Sequence, residues 1–137
     1  MIKKSNILLV DDDKVYLFIM NKIINSVSSE LEVSTFTDGE QAVQFLSRCA
    51  EENIKLPEVI FLDVNMPFLD GWGFLAEFKK LKPKLHKKIN IYMVSSSSRA
   101  EDMARAAQFE ELTGYVVKPM GEEKLVEIFT DIYNKNW

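Results

Sequence analysis

One cysteine, one histidine, five glycines and four prolines in 137 residues leave several classes of protein without support. With Cys49 alone, no internal disulfide can form; the chain is at ease in a reducing compartment, and Cys49 reads as a helix packing residue. No stretch approaches the roughly 18 continuous apolar residues of a membrane-spanning helix. Nor does the amino terminus carry an export signal. Lys3 and Lys4 precede only four apolar residues, Ile7–Val10, before three aspartates, where a secretory core needs about 7–15. The expected setting is soluble and cytoplasmic, with no membrane partner. Basic charge is also in deficit: a net charge of −4 and a pI near 5.1 argue against nucleic acid as a direct partner, because phosphate backbones demand a basic surface. The local exception, six lysines between Lys79 and Lys88, reads as a solvated helix end, where cations suit the negative pole of the dipole.

What is present is a chain 47% hydrophobic and 28% charged, the balance of one compact domain spanning 1–137. Short apolar runs alternate with longer segments of helical period, the pattern of a parallel sheet with crossover helices. Strands are predicted at Ile7–Val10, Leu31–Phe36, Val59–Leu62, Ile89–Val94 and Gly114–Val117. All but the second are nearly unbroken apolar runs, as in strands buried on both faces; the second alternates, as at an edge. Val15, Phe18, Ile19 and Ile23 form the apolar face of a helix over Lys14–Ser26, and Ala42, Phe45, Leu46 and Cys49 that of a helix over Gly39–Ala50. Asp38 with Gln41 resembles a capping box at the start of the latter. Phe74, Leu75 and Phe78 mark a third helix after Gly71, Met103, Ala104 and Ala107 a fourth, and Leu125, Phe129 and Ile132 a fifth running toward Trp137. The fold class is therefore α/β, a doubly wound parallel sheet of five strands with five helices.

In such a sheet the ligand site lies beyond the carboxyl ends of the strands. The residues there are polar: Asp11, Asp12 and Asp13 after the first strand, Asp63 after the third, Ser95 to Ser98 after the fourth, and Lys118 with Pro119 after the fifth. Crowded carboxylates repel unless a cation sits among them, and hard oxygen ligands suit Mg²⁺. Magnesium, a lysine point charge and a serine hydroxyl together serve phosphoryl transfer, with a carboxylate as nucleophile. Asp63, which ends a central strand, is best placed to accept the phosphoryl group. Asp13 reads instead as a helix cap. Nucleotide hydrolysis lacks its GxxxxGK[ST] loop, and the lone His86 falls in a Lys-rich connection away from the predicted rim.

These residues fall in motifs: Leu8-Leu9-Val10-Asp11-Asp12; Phe61-Leu62-Asp63-Val64-Asn65-Met66-Pro67 with Asp70-Gly71; Met93-Val94-Ser95; and Gly114-Tyr115-Val116-Val117-Lys118-Pro119. In them the chain resembles, over essentially its whole length, the receiver domain of two-component response regulators, of the CheY-like type. The resemblance implies strand order 2-1-3-4-5, Asp63 as phosphoacceptor, and Mg²⁺ held by Asp12 and Asp63 directly, by Asp11 largely through water, and by the backbone carbonyl of Asn65. It implies that Ser95 and Lys118 contact the phosphoryl group, that Ser95 and Tyr115 form the switch pair, and that the Lys118–Pro119 bond is cis. A sensor histidine kinase or histidine phosphotransfer protein would donate the phosphoryl group, with donor specificity on the first helix and the loop after the fifth strand. The fourth helix, fifth strand and fifth helix would present the state to a downstream protein, from a monomer or a phosphorylation-dependent homodimer. No output domain is expected. The implied role is a signalling switch rather than an enzyme.

Some departures stand out. Ser occupies position 95 where Thr is commoner, Met120 stands where an aromatic residue often follows the Lys-Pro pair, and the polar segment Arg48–Pro57 lengthens the link to the third strand. Two rival readings remain beside the switch. One is a magnesium-dependent phosphatase of the haloacid-dehalogenase type, whose site wants an Asp where Asn65 stands; the other is a receiver-like binding module that is never phosphorylated.

Overall fold

Alternation along the strands decides which helix packs where. In the computed structural model, which describes residues 5–133, five parallel strands are laid down as β1 (Ser5–Val10), β2 (Leu31–Phe36), β3 (Val59–Asp63), β4 (Asn90–Ser95) and β5 (Leu112–Val117). They hydrogen-bond in the order β2-β1-β3-β4-β5, the order implied by the resemblance. Between and after them run α1 (Lys14–Val27), α2 (Gly39–Glu52), α3 (Gly71–Leu81), α4 (Ala100–Ala107) and α5 (Glu122–Ile132), with a short 3₁₀ turn at Lys82–Lys84. Successive strand residues point to opposite faces. Thus Ile7, Leu9, Val59, Phe61, Tyr92 and Val94 meet Leu17, Met20 and Ile24 of α1 and Leu125, Ile128 and Phe129 of α5 on one side. Leu8, Val10, Ile60, Leu62, Ile91 and Met93 meet α2, α3 and Ala106 of α4 on the other. Two apolar layers result, each sealed by helices.

Several boundaries and faces differ from the sequence expectation. Apolar residues at Val15, Phe18 and Ile19 do not form the buried face of α1: Phe18 is 61% exposed, and the core takes Leu17, Met20 and Ile24 instead. Helical spacing fits both stripes, and contact with the sheet and α5 selects the second. In α4 the buried residue is Ala106 rather than Met103, Ala104 or Ala107, because only one side of this two-turn helix reaches the sheet. β5, the second edge of the sheet as the implied order has it, is less covered than its apolar run suggests, with Val116 buried and Val117 exposed. It begins two residues early, at Leu112, through a register shift opposite Ile91 and Tyr92 that no apolar count reveals. The first five residues of the Arg48–Pro57 link, Arg48–Glu52, belong to α2, which ends on Asn53 in the left-handed conformation. The course of the last helix toward Trp137 lies outside the described residues.

Capping bears out the helix starts. Asp13 accepts hydrogen bonds from the backbone N–H of Val15 and Tyr16, Asp38 from Gln41 and Asp70 from Gly73. Cys49 is fully buried, and Lys79, Lys80, Lys82, Lys84 and Lys88 lie exposed at and beyond the end of α3. Gly71 is required by close approach. A Cβ there would sit 2.5 Å from the Asp63 carbonyl oxygen, and its N–H already donates to Val64 O at 2.7 Å.

Phe68 presents the opposite case. It holds φ 66°, a left-handed conformation, while its side chain is 87% exposed. The backbone strain is returned by no burial, so Phe68→Gly should stabilise the domain by about 1 kcal/mol, because the left-handed region costs an L residue roughly 1–2 kcal/mol and glycine much less. Chemical denaturation at constant m-value measures it, and an unchanged or lower midpoint contradicts the strain assignment.

Candidate functional site

Sheet register brings the predicted polar residues to one rim. β1 ends at Val10 opposite Leu62 of β3, so Asp11 emerges beside Asp63. Asp63 pairs with Val94 of β4, which puts Ser95 one residue further out, and the N–H of Lys118 donates to Ser95 O at 2.8 Å, locking the end of β5 to β4. Carboxylate oxygens of Asp11, Asp12 and Asp63 all lie within 4.8 Å of one another. Asp11 is 3% exposed, Asp63 half-buried and Asp12 open to solvent. Asp13 turns away to cap α1 and takes no place in the cluster.

Lys118 is the counterweight. Its Nζ lies 2.9 Å from Asp11 Oδ2 and 3.5 Å from Asp63 Oδ1, and the Lys118–Pro119 peptide bond that follows it is cis. The electrostatics follow from that crowding. Burial, and then the charge of Asp11, push the Asp63 carboxyl up to about 6, against the pull of Lys118 and of the Val64 N–H. Burial alone would lower the Lys118 ammonium, but its bond to Asp11 and the charges of Asp11 and Asp63 outweigh this and raise it. Lys118 is therefore a permanent cation. The pocket nevertheless holds three carboxylates against one ammonium.

Ser95 is buried, and its Oγ accepts a hydrogen bond from the N–H of Ser97 at 3.1 Å. Ser97 in turn gathers the start of α4: its hydroxyl donates to Asp102, which Arg99 also engages, and its carbonyl accepts from the Tyr115 hydroxyl at 2.8 Å. Tyr115 is thus half-buried with its hydroxyl tied to the β4–α4 loop. Asn65 lies exposed in the loop two residues beyond Asp63. His86 lies exposed at the entry to β4, the end of the sheet opposite this rim.

Sequence reasoning passes over Tyr16, whose ring lies under the Lys118 ammonium at 4.2 Å from its centroid. The available signal was the Asp13 cap, which sets the first turn of α1 at the rim. Burial, opposed by Lys118, pushes the Tyr16 phenol up to about 12, so it stays neutral.

A family model described as the response regulator receiver domain matches residues 7–130. The chain is 30% identical over 131 residues to ARR19 of Arabidopsis thaliana, named among two-component response regulators, covering 96% of this chain and 29% of that protein. It is 34% identical over 98 residues to response regulator Rcp1 of Synechocystis, covering 71% of this chain and 65% of that one. The chain therefore spans less than two thirds of the length of either relative. Among solved structures, a two-component response regulator from Cytophaga hutchinsonii superposes with a TM-score of 0.86 at 28% identity, over 97% of this chain and 99% of that one. The Mn²⁺-bound form of Rcp1 superposes with a TM-score of 0.72 at 27% identity, over 95% and 92%. With its strand order, rim and sequence in agreement, the chain belongs to the family of response regulator receiver domains.

Proposed function

We propose that this domain is a phosphorylation switch in which Asp63 receives a phosphoryl group from a phosphohistidine donor. The observation that carries this reading is the Asp11–Lys118–Asp63 arrangement, a strand-end carboxylate with a lysine ammonium 3.5 Å away and two further carboxylates around it. An oxygen of Asp63 attacks phosphorus, the bond from phosphorus to the donor breaks, and the donor leaves with that electron pair. Lys118 meets the negative charge of the transferred group, and Ser95 supplies a hydroxyl. The donor set fits Mg²⁺: Asp12 and Asp63 would hold it directly, Asp11 largely through water and Asn65 through its carbonyl, and when bound it supplies neutralisation of phosphate charge. The Rcp1 structure that superposes on this chain is of a Mn²⁺-bound form, which supports a divalent ion as partner of such a domain. Asn65, rather than Asp, at the second position after the acceptor supports a switch over a phosphatase.

Output follows from the bonds at Ser97. Drawing the Ser95 hydroxyl to a phosphoryl oxygen removes the acceptor of the Ser97 N–H, and Ser97 also holds Tyr115 and α4. One local displacement therefore loosens the face made by α4, β5 and α5, which would meet a downstream protein. Input is served by α1, whose Val15, Phe18 and Ile19 are exposed beside the acidic rim, with Lys22 over the Phe18 ring. Such an apolar stripe suits a helix of a histidine kinase or phosphotransfer protein.

Three measurements test this reading. With Mg²⁺ and acetyl phosphate, mass spectrometry should find one phosphoryl group that hydroxylamine removes, and Asp63→Ala should carry none; a labelled Asp63→Ala protein would move the acceptor elsewhere.

The raised Asp63 carboxyl gives a stability prediction of unusual sign. Unfolded, Asp63 loses its proton near pH 4; folded, it keeps it to about 6, so stability is lost as pH rises between those values. Without Mg²⁺, Asp63→Asn should therefore stabilise the domain at pH 7, by on the order of 2 kcal/mol once solvent screening of this half-buried carboxyl is allowed for, with the gain disappearing below about pH 4. Denaturant titrations at both pH values measure it; equal stability at pH 7 refutes the raised carboxyl.

Finally, Phe18→Ala should slow transfer from a phosphohistidine donor domain by about tenfold or more, the scale of an aromatic hot spot, while leaving acetyl phosphate labelling unchanged. Equal loss with both donors would place Phe18 in folding or chemistry rather than docking.

A further inference from the structure

Among the described residues the Lys118 ammonium has three charged or aromatic neighbours: Asp11 at 2.9 Å, Asp63 at 3.5 Å and the ring of Tyr16 at 4.2 Å. In the reaction proposed above, two of the three change. Asp63 loses its negative charge to the anhydride bond, and Asp11 must share its charge with any cation entering the cluster. Lysine sits on a flexible four-carbon stem and is a poor keeper of its own position. The Tyr16 ring is the neighbour whose attraction is the same before, during and after transfer, because a ring quadrupole carries no net charge to be neutralised. Its own placement is secured independently: its backbone N–H is bonded to the Asp13 carboxylate at 3.1 Å in the first turn of α1, and the ring is half-buried against the core cluster that includes Leu17 and Met120.

We propose that Tyr16 is a positioning residue for Lys118, its ring face holding the ammonium at the acceptor while the carboxylates around it change charge. The role belongs to the ring and not to the hydroxyl. This rests on the reading of Asp63 as phosphoacceptor, and the consequence is specific to the chemical step. A loose Lys118 would still attract the anionic donor into the acidic rim, yet would meet the transferring phosphoryl oxygens in only a fraction of encounters.

The test uses the full chain with Tyr16→Leu, which keeps apolar bulk without a ring face, and Tyr16→Phe, which keeps the face without the hydroxyl. With Mg²⁺ and acetyl phosphate, Tyr16→Leu should lose about tenfold in maximal labelling rate, equivalent to about 1.4 kcal/mol, with little change in half-saturating donor concentration, and Tyr16→Phe should label within about twofold of the parent. A second measurement needs no chemistry. In the unphosphorylated, metal-free protein, NMR should show the Lys118 Cε protons shifted upfield by the ring current in the parent and in Tyr16→Phe, and unshifted in Tyr16→Leu. A parent labelled normally while Tyr16→Leu matches it, or Tyr16→Phe falling as far as Tyr16→Leu, overturns the proposal. An unshifted Lys118 in the parent overturns it whether or not any variant folds. A parent that takes no label but shows the shift sinks the phosphoacceptor reading alone and leaves the ring contact established.

Discussion

Like charge held in a confined place is the constraint on which this domain turns. Asp11 is almost wholly buried, Asp63 partly so, and their repulsion is offset by one ammonium, Lys118, delivered from the far edge of the sheet. That delivery needs β5 locked to β4 by the Lys118–Ser95 backbone bond, β4 in register with β3, and β3 with β1. The sheet order is thus what makes the acidic cluster tolerable, and the cluster is what gives the sheet a purpose at that rim. A cation entering the cluster would relieve it; a phosphoryl dianion, in the reaction proposed above, would draw on Lys118 and Ser95.

How legible this was in the sequence depended on how local the signal is. Strand cores such as Leu8-Leu9-Val10 and Ile60-Phe61-Leu62 announce themselves because doubly buried parallel strands have no polar alternative, and the capping aspartates do so because their geometry is settled within four residues. The rim residues Asp11, Asp12, Asp63, Ser95 and Lys118 were legible by position alone, as the residues that follow each strand. What was not legible needs a partner distant in the chain. The buried stripe of α1 is chosen by contact with the sheet and α5, so Val15, Phe18 and Ile19 read as core by periodicity and are surface in fact. The early start of β5 depends on a bulge against β4. Tyr16 looked like one more aromatic residue on a helix, and its meaning appears only with Lys118 folded over it from 102 residues away.

The β3–α3 loop shows two opposite solutions to a tight backbone. At Gly71 the helix start approaches the Asp63 carbonyl so closely that no side chain fits, and the sequence complies. Three residues earlier Phe68 adopts a left-handed backbone that glycine would accept more readily, and the sequence places an exposed aromatic there. The first choice serves the fold. The second has no compensating contact within the described residues, a pattern associated with sites where local stability gives way to another demand.

Trp72 extends the chain of contacts in a different direction. It follows Gly71 at the start of α3, stacks on Phe109 with ring centroids 5.6 Å apart, and lies beneath the Arg105 guanidinium of α4 at 4.3 Å. An indole clamped between two elements that the Ser97 network would move relative to one another is an optical gauge. Its emission depends on how well it is shielded from water and on the cation above it, both of which change if α4 slides. The molecule thus carries, a single residue beyond the glycine that touches β3, an intrinsic fluorophore in contact with Arg105 of α4 and with Phe109 just past it, so the movement of α4 proposed above would change its brightness.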